Sequence, residues 1–434
     1  MKLSKTFFGY VIPAIFSFAL SGVYAIVDGF FVGNTIGDAG LSAINIAYPL
    51  VALIQAAGTG IGMGGAVHYS INKAEGNEIK ARNFIAASWW LLLFASVVFS
   101  FGVYFFRVPL LTVLGAEGKI LTLGSEYIRS IAIGSVLQIL GTGLVPFLRN
   151  YGGSLWAMVA MIGGFIANII LDYLYVWVWN QGMTGAAVAT IIGQGVTMVV
   201  AILYSVYKRN LAIKISPRKF AELSKAIFKV GLAPFGLALT PNISLMLINR
   251  FSAMYGGEKA IATYACISYI ICIIYLILQG VGDGSQPLMS RYYGEKNTAA
   301  LKQINKLAYA FAVFLALVGC AVMLAIKNKV GILFGSSDEV NSEISKIIPI
   351  FLVSVPFVAI VRVSTASFYA TEKSGMSYIL TFAEPILMLV LMLILPPLFG
   401  GQVMIWWSTV LARIISAVVA VLIIIKLKNT CKKN

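Results

Sequence analysis

Long apolar stretches recur along the whole chain, separated by short polar segments. Each runs to about 20 residues or more, the length a helix needs to cross a bilayer. Twelve can be marked, at 7–32, 41–67, 84–106, 120–146, 155–179, 183–207, 226–251, 260–289, 301–326, 344–368, 377–399 and 403–426. No soluble domain fits between them, because the longest connector is 208–225. The pattern predicts an all-α polytopic membrane protein with twelve transmembrane helices.

The pattern also repeats. Pro13 and Pro234 both sit early in a span, 221 residues apart, and the same offset carries Asp28 to Asn249. One residue more carries Gly60-x-Gly62 to Gly282-x-Gly284 and Tyr69 to Arg291. Two six-helix bundles are therefore expected, a lobe over 1–207 and a lobe over 226–434, joined by a basic linker at 208–225. Such parallel repeats enclose a central cleft that opens alternately to each side. At an offset near 222, Asn168, Asp172 and Thr190 map to Val390, Ile394 and Ala412. The second half then lacks the first half's polar set, an asymmetry that a site in one lobe explains and helix packing does not.

Composition agrees. Of 434 residues 59% are hydrophobic and 11% charged, against about 25% charged in a soluble protein. A net charge of +16 would suit a nucleic-acid binder, but its placement excludes that reading. With the N-terminus inside, 22 of the 32 Lys and Arg fall on inner loops and tails, 7 on outer loops, and Arg129, Arg362 and Arg413 within spans. This positive-inside bias puts both termini in the cytoplasm. Lys2, Lys5 and the apolar run to Val23-Tyr24-Ala25 have the outline of a signal peptide. The run continues to Val32 and has a counterpart mid-chain, so it reads as a first span. The four cysteines imply no disulfide framework. His68 has no second His or Cys near it to make a metal site.

Candidate chemistry begins with two lone carboxylates inside apolar runs, Asp28 in Ala25-Ile26-Val27-Asp28-Gly29-Phe30 and Asp172 in Asn168-Ile169-Ile170-Leu171-Asp172-Tyr173. A charge at membrane depth is costly, and such residues mark ion or substrate pathways. Asn168 and Asp172 are four apart and share a helix face. At 1.5 Å per residue, Asp28, Asn168, Asp172 and Thr190 all fall in the outer half of the first lobe. Their oxygen and amide groups suit a hard cation such as Na⁺, and two carboxylates in a poorly hydrated site equally suit a proton. Sequence does not choose between them.

Asn45, Tyr48, Gln55 and Thr59 form a stripe on the second span, and Gln279, Asp283 and Gln286 one on the eighth. Either stripe lines a wet cleft or joins helices; Asp283, near the inner end of its span, reads as part of a solvated mouth. Glu384, beside Pro385, either faces the cleft or pairs with Arg362 or Arg413. Gly60-Ile61-Gly62-Met63-Gly64-Gly65 matches a dinucleotide fingerprint literally, but it lies inside a span with no strand before it, so close helix packing is the better reading. There is no Walker A sequence and no serine, cysteine or metal constellation for catalysis, so no enzyme and no cofactor is expected beyond the coupling ion.

Several segments together resemble the MATE (multidrug and toxic compound extrusion) family. They are Pro13 with Val27-Asp28-Gly29-Phe30-Phe31-Val32-Gly33, Phe147-Leu148-Arg149-Asn150-Tyr151-Gly152, Asn168-Ile169-Ile170-Leu171-Asp172, and Gly182-Met183-Thr184-Gly185-Ala186-Ala187-Val188-Ala189-Thr190. In the eighth span Gln279-Gly280, Gln286-Pro287-Leu288 and Tyr293-Gly294 continue the match. The resemblance implies a V-shaped antiporter that exchanges an external cation for drug-like, often cationic, compounds. It implies that Asp28, Asn168, Asp172 and Thr190 are the first-lobe cation or proton site. From the polar stripes themselves, Asn45, Tyr48, Gln55, Gln279, Asp283 and Glu384 are the candidates for the substrate cleft. Ala383-Glu384 departs from the family, where an Arg-Gln pair is common. The expectation is therefore a monomeric, multi-pass exporter of a prokaryotic cytoplasmic membrane, with small organic substrates, lipid around it and no nucleic-acid partner. The alternative is a lipid-linked saccharide flippase of the same superfamily, for which Arg129, Arg362 and Arg413 speak.

Overall fold

The computed structural model describes residues 3–333 and 338–433, and its regular structure is helical throughout. The first lobe holds α1 (Leu3–Ile36), α2 (Asp38–Ala74), α3 (Glu78–Val113), α4 (Gly118–Ile133), α5 (Ser135–Asn150), α6 (Ser154–Asp172) with a π-helical turn Tyr173–Val178, and α7 (Gly182–Tyr207). The second holds α8 (Pro217–Gly294), α9 (Thr298–Ile326) with a 3₁₀ turn Lys327–Lys329, α10 (Val330–Leu333), α11 (Asp338–Leu352), α12 (Val355–Ala370), α13 (Ser374–Phe399) and α14 (Gln402–Lys433). The linker is shorter than expected: α8 starts at Pro217, where proline's fixed φ suits a first helical turn, so only 208–216 is non-helical.

Among the described residues nine helices are long and apolar enough to span a membrane, and two bent pairs, α4–α5 at 61° and α11–α12 at 45°, each have the length and composition of one span more. The 78-residue α8 breaks at Gly257, with φ 62°, into two membrane-length arms. The total is the twelve that the apolar pattern predicts.

The repeat is written into the backbone at one offset, 220. Gly37 between α1 and α2 has φ 82° where Gly257 has 62°; Gly76 has 83° and Lys296 54°; Gly152 has 87° and Glu372 58°; Asn180 has 51° and Gly400 84°. Asn77 caps α3 by accepting from the Lys80 amide, and Asn297 caps α9 by accepting from the Ala300 amide. The two bends fall at Gly134 and Ser354.

The sequence offsets of 221 and 222 are corrected by this. A slip of two residues rotates a helix position by about 200°, so Val390 and Ile394 face outward at 45% and 46% exposure. The counterparts of Asp28, Asn168, Asp172 and Thr190 are Ile248, Met388, Met392 and Val410, each fully buried. The reading that the second lobe lacks the polar set holds, with apolar side chains filling the space instead.

Buried apolar residues form two large clusters, one per lobe. They exchange edge members: Phe7, Val11, Met63, Val67 and Ile71 pack into the second core, and Leu223 and Ile227 of α8 into the first. The lobes touch through glycines. A Cβ on Gly60 would lie 2.9 Å from the Gly231 carbonyl oxygen, and one on Gly280 would lie 2.7 Å from the Ile15 Cα. This close packing lies toward the end that carries the loops at 75–77, 208–216, 295–297 and 371–373, here the basic end. Asn150 Nδ2 donates to Gln286 Oε1 across the same seam at 2.9 Å. Toward the opposite end Asn45 and Tyr48 of α2 and Cys272 of α8 are exposed.

Candidate ion-coupling site

Asp172 ends α6, and its backbone continues directly into the π-helical turn. Such wide turns are rare and gather at functional sites. Asp28 comes from α1, and its carboxyl approaches that of Asp172. Aromatic pairs fasten the two helices on either side: Tyr24 stacks on Phe165 at 5.1 Å, Phe30 on Trp177 at 6.3 Å, and Phe31 meets Trp177 edge-on at 6.1 Å. On α7, Thr190 Oγ1 donates to the Ala186 carbonyl at 3.0 Å and receives Asn168 Nδ2 at 3.5 Å. The four residues predicted from sequence thus converge.

The site has too few donors. Asp28 Oδ1, both Asp172 oxygens and Asn168 Oδ1 are buried without hydrogen-bond partners. Buried acceptors left unpaired cost on the order of 1–3 kcal/mol each, more when charged. Two facing carboxylates cannot both remain ionised in such a place without a positive charge between them. A shared proton meets that need. So does a hard cation, for which four free oxygens and the Thr190 hydroxyl form an all-oxygen donor set. Tyr24 from α1 and Tyr127 from α4 stand beside the carboxyls, Tyr127 next to Thr190. Sequence reasoning missed both tyrosines. Tyr24 lies four residues before Asp28 on one helix face, which was a usable signal; nothing in the sequence around Tyr127 pointed to it.

The other candidates divide. Asn45 and Tyr48 are exposed and Gln55 half-buried on the uncovered stripe of α2, as a cleft lining requires. Gln279 and Asp283 do not form a solvated mouth. Asp283 is 5% exposed, and it accepts from Tyr369 Oη and Gln279 Nε2, both at 2.8 Å, with Arg149 and Arg362 near it. The hydrogen bond from Tyr369 ties α8 to α12 within the second lobe, and Arg149 of the first lobe faces Asp283 across the seam. Glu384 pairs with Arg413 at 2.9 Å, and Arg413 also donates to Tyr275 Oη at 2.6 Å. His68 makes no metal cluster; none of three or more His, Cys, Asp or Glu occurs among the described residues.

Two six-helix lobes with a carboxylate pair buried inside one of them make a polytopic helical membrane protein. The MatE family model matches residues 13–174 and 237–394, one segment in each lobe, and the chain belongs to that family. It is similar to the multidrug export protein MepA of Staphylococcus haemolyticus, 24% identical over 430 residues, covering 99% of this chain and 94% of that protein. The Staphylococcus aureus MepA is 25% identical over 435 residues, covering 98% and 94%. Among solved structures, an outward-facing multidrug resistance MATE transporter superposes with TM-score 0.92 at 23% identity, covering 100% of this chain and 98% of that one. A Pyrococcus furiosus transporter of the MOP superfamily, described as having reversed binding-pocket polarity, superposes with TM-score 0.90 at 23% identity, covering 97% and 95%.

Proposed function

We propose that this multidrug exporter is an antiporter. A proton or Na⁺ enters from the side opposite the basic end, binds between Asp28 and Asp172, and drives out a drug-like, often cationic, substrate by alternating access. The basic end is cytoplasmic on this reading, as the distribution of Lys and Arg requires, and the protein works as a monomer in the bacterial cytoplasmic membrane.

The observation that carries the reading is the donor-poor carboxylate pair, whose counterparts in the second lobe are the buried Ile248 and Met392. A repeat that needed those positions only for packing would fill both copies with apolar side chains. Ion binding neutralises charge that would otherwise hold a cationic substrate, and Pro13 removes one backbone hydrogen bond from α1, giving that helix a place to bend as the pair fills. Linkage is reciprocal, so substrate must weaken ion binding by the same factor. Of the three arginines that speak for the flippase reading, Arg413 is committed to Glu384 and Arg362 lies near the buried Asp283, which leaves Arg129 and weakens that reading. Dye export in everted vesicles, driven by a proton gradient and by a sodium gradient in turn, tests the proposal. One gradient should drive export; export driven by neither rejects it.

A further inference from the structure

The chain has one histidine. His68 lies near the basic end of α2 and bridges the lobes. Its Nδ1 is 2.9 Å from Glu372 Oε1 on the turn between α12 and α13, and its Nε2 is 3.1 Å from the Ala226 carbonyl oxygen on α8. Phe84 of α3 stacks on the ring at 4.6 Å. A carboxylate oxygen and a carbonyl oxygen both only accept. A neutral imidazole carries one N–H and can satisfy one of them, so both contacts together require the imidazolium.

A second observation points the same way. Glu372 has φ 58°, a left-handed conformation that residues with side chains adopt rarely. Its first-lobe counterpart is Gly152, which takes φ 87° readily. The counterpart of His68 is the buried Leu288. The turn is common to both lobes, and in the second it carries a carboxylate that reaches a histidine with no counterpart in the repeat. The imidazole holds the Glu372 carboxyl below its usual range against partial burial. The other titratable groups here are Lys80 of α3 and Lys229 of α8, both acting on Glu372, Tyr293 near the end of α8, and Glu75 after α2, which acts with Glu372 on Tyr293.

We propose that His68 and Glu372 form a second proton-binding site, separate from the Asp28–Asp172 pair, which latches the lobes together at the basic end. The ligand is the proton. Its binding favours the conformation seen here, with the basic end closed, and its loss frees one of the two contacts that His68 makes across the lobes. The sign follows: acid on this side holds the lobes shut, and alkali favours opening. Where the basic end is cytoplasmic, as proposed above, cytoplasmic acidification retains the outward-open state. The proposal depends on the transport reading only for that placement.

The test uses full-length protein in lipid nanodiscs, with the native cysteines replaced by serine and spin labels at Glu78→Cys and Thr298→Cys, one on each lobe. Asp28→Asn and Asp172→Asn are included, so that any titration at the coupling pair is absent. Pulsed EPR distances are recorded from pH 5.5 to 8.5. The expected result is a shift from short to long distances as pH rises, changing the closed-to-open ratio at least ~10-fold, as a hydrogen bond to a charged group should. His68→Gln should abolish the shift, and so should Glu372→Gln, a half-exposed position whose substitution leaves the fold intact. A shift that persists in either variant, or none in the parent, overturns the proposal. Neither outcome bears on whether Asp28 and Asp172 carry the coupling ion, because both are removed.

Discussion

The α6–α7 pair of the first lobe and the α13–α14 pair of the second cross at equivalent positions and differ in chemistry at that crossing. In the first lobe the helices cross at Gly164 and Gly193. A Cβ on Gly164 would lie 2.6 Å from the Gly193 carbonyl oxygen, and one on Gly193 2.7 Å from that of Gly164. In the second lobe the same two positions are Glu384 and Arg413, joined by an ion pair. One turn further along, Asn168 faces Thr190 in the first lobe, while Met388 and Val410 fill those positions in the second. Close approach at the glycines brings the two polar side chains within reach of each other, next to Asp172. Long charged side chains at the same crossing fasten the second pair. A single fold thus leaves unpaired carboxylate oxygens buried in one lobe and a packed, ion-paired crossing in the other.

The most direct way to break this contrast is to neutralise the carboxyls. Asp172→Asn, and separately Asp28→Asn, should lose essentially all gradient-driven export while the protein still inserts and folds. The double variant should be little worse than either, since groups acting as one site are not additive. Dye export from vesicles with matched protein levels checks this. Normal transport by either single variant would make that residue structural.

The two crossings come next in size. Gly164→Ala forces its new methyl against Thr197 Oγ1 and the Gly193 carbonyl, and overpacking of this kind costs about 1–3 kcal/mol. Arg413→Ala leaves Glu384 unpaired, a loss of about 3 kcal/mol, at the low end for a broken buried pair because the acid's side chain is 20% exposed. Replacing both, as Glu384→Leu with Arg413→Met, should be close to neutral. Denaturation midpoints in detergent would show whether the double replacement recovers what the single one loses. If it does not, the pair has a role beyond holding α13 to α14. Asp172→Met, copying Met392, should raise the midpoint by a few degrees, since it removes an uncompensated carboxylate. A lower midpoint would mean that the carboxylate pair contributes to folding as well as to transport.

These contrasts were partly legible in the sequence. Twelve apolar runs announced twelve spans, because lipid forces backbone groups to be satisfied within helices. Asp28 and Asp172 stood out because an acid at that depth is rare. The register of the repeat did not stand out. Proline and Asp-to-Asn matches suggested 221 or 222, whereas left-handed residues at Gly37 and Gly257, Gly76 and Lys296, and Gly152 and Glu372 fix 220. Glycine and non-glycine residues share those conformations, so identity alone conceals them. The exposed reading of Asp283 failed for a related reason: depth along a span does not reveal that Tyr369, 86 residues away, closes over it. The π-helical turn after Asp172 left no signal, since Tyr173–Val178 is apolar and helix-compatible.

The smallest expected effect tests the register itself. At an offset of 221 Asn249 would be the second-lobe counterpart of Asp28, and its amide could serve as a vestige of the site. At 220 it is the counterpart of Gly29, and Ile248 takes the place of Asp28. Ile248 is fully buried and Asn249 half-buried, which matches the second assignment. Asn249→Ala should therefore leave the dependence of export on the driving ion unchanged, within the scatter of repeated measurements. Stability should shift by no more than about 0.5 kcal/mol, the usual range for a position away from the core. Measuring initial export rates against a series of imposed ion gradients separates a change in coupling from a change in protein level. A weakened ion dependence in Asn249→Ala would restore a polar role to the second lobe and remove the one-sided contrast between the lobes.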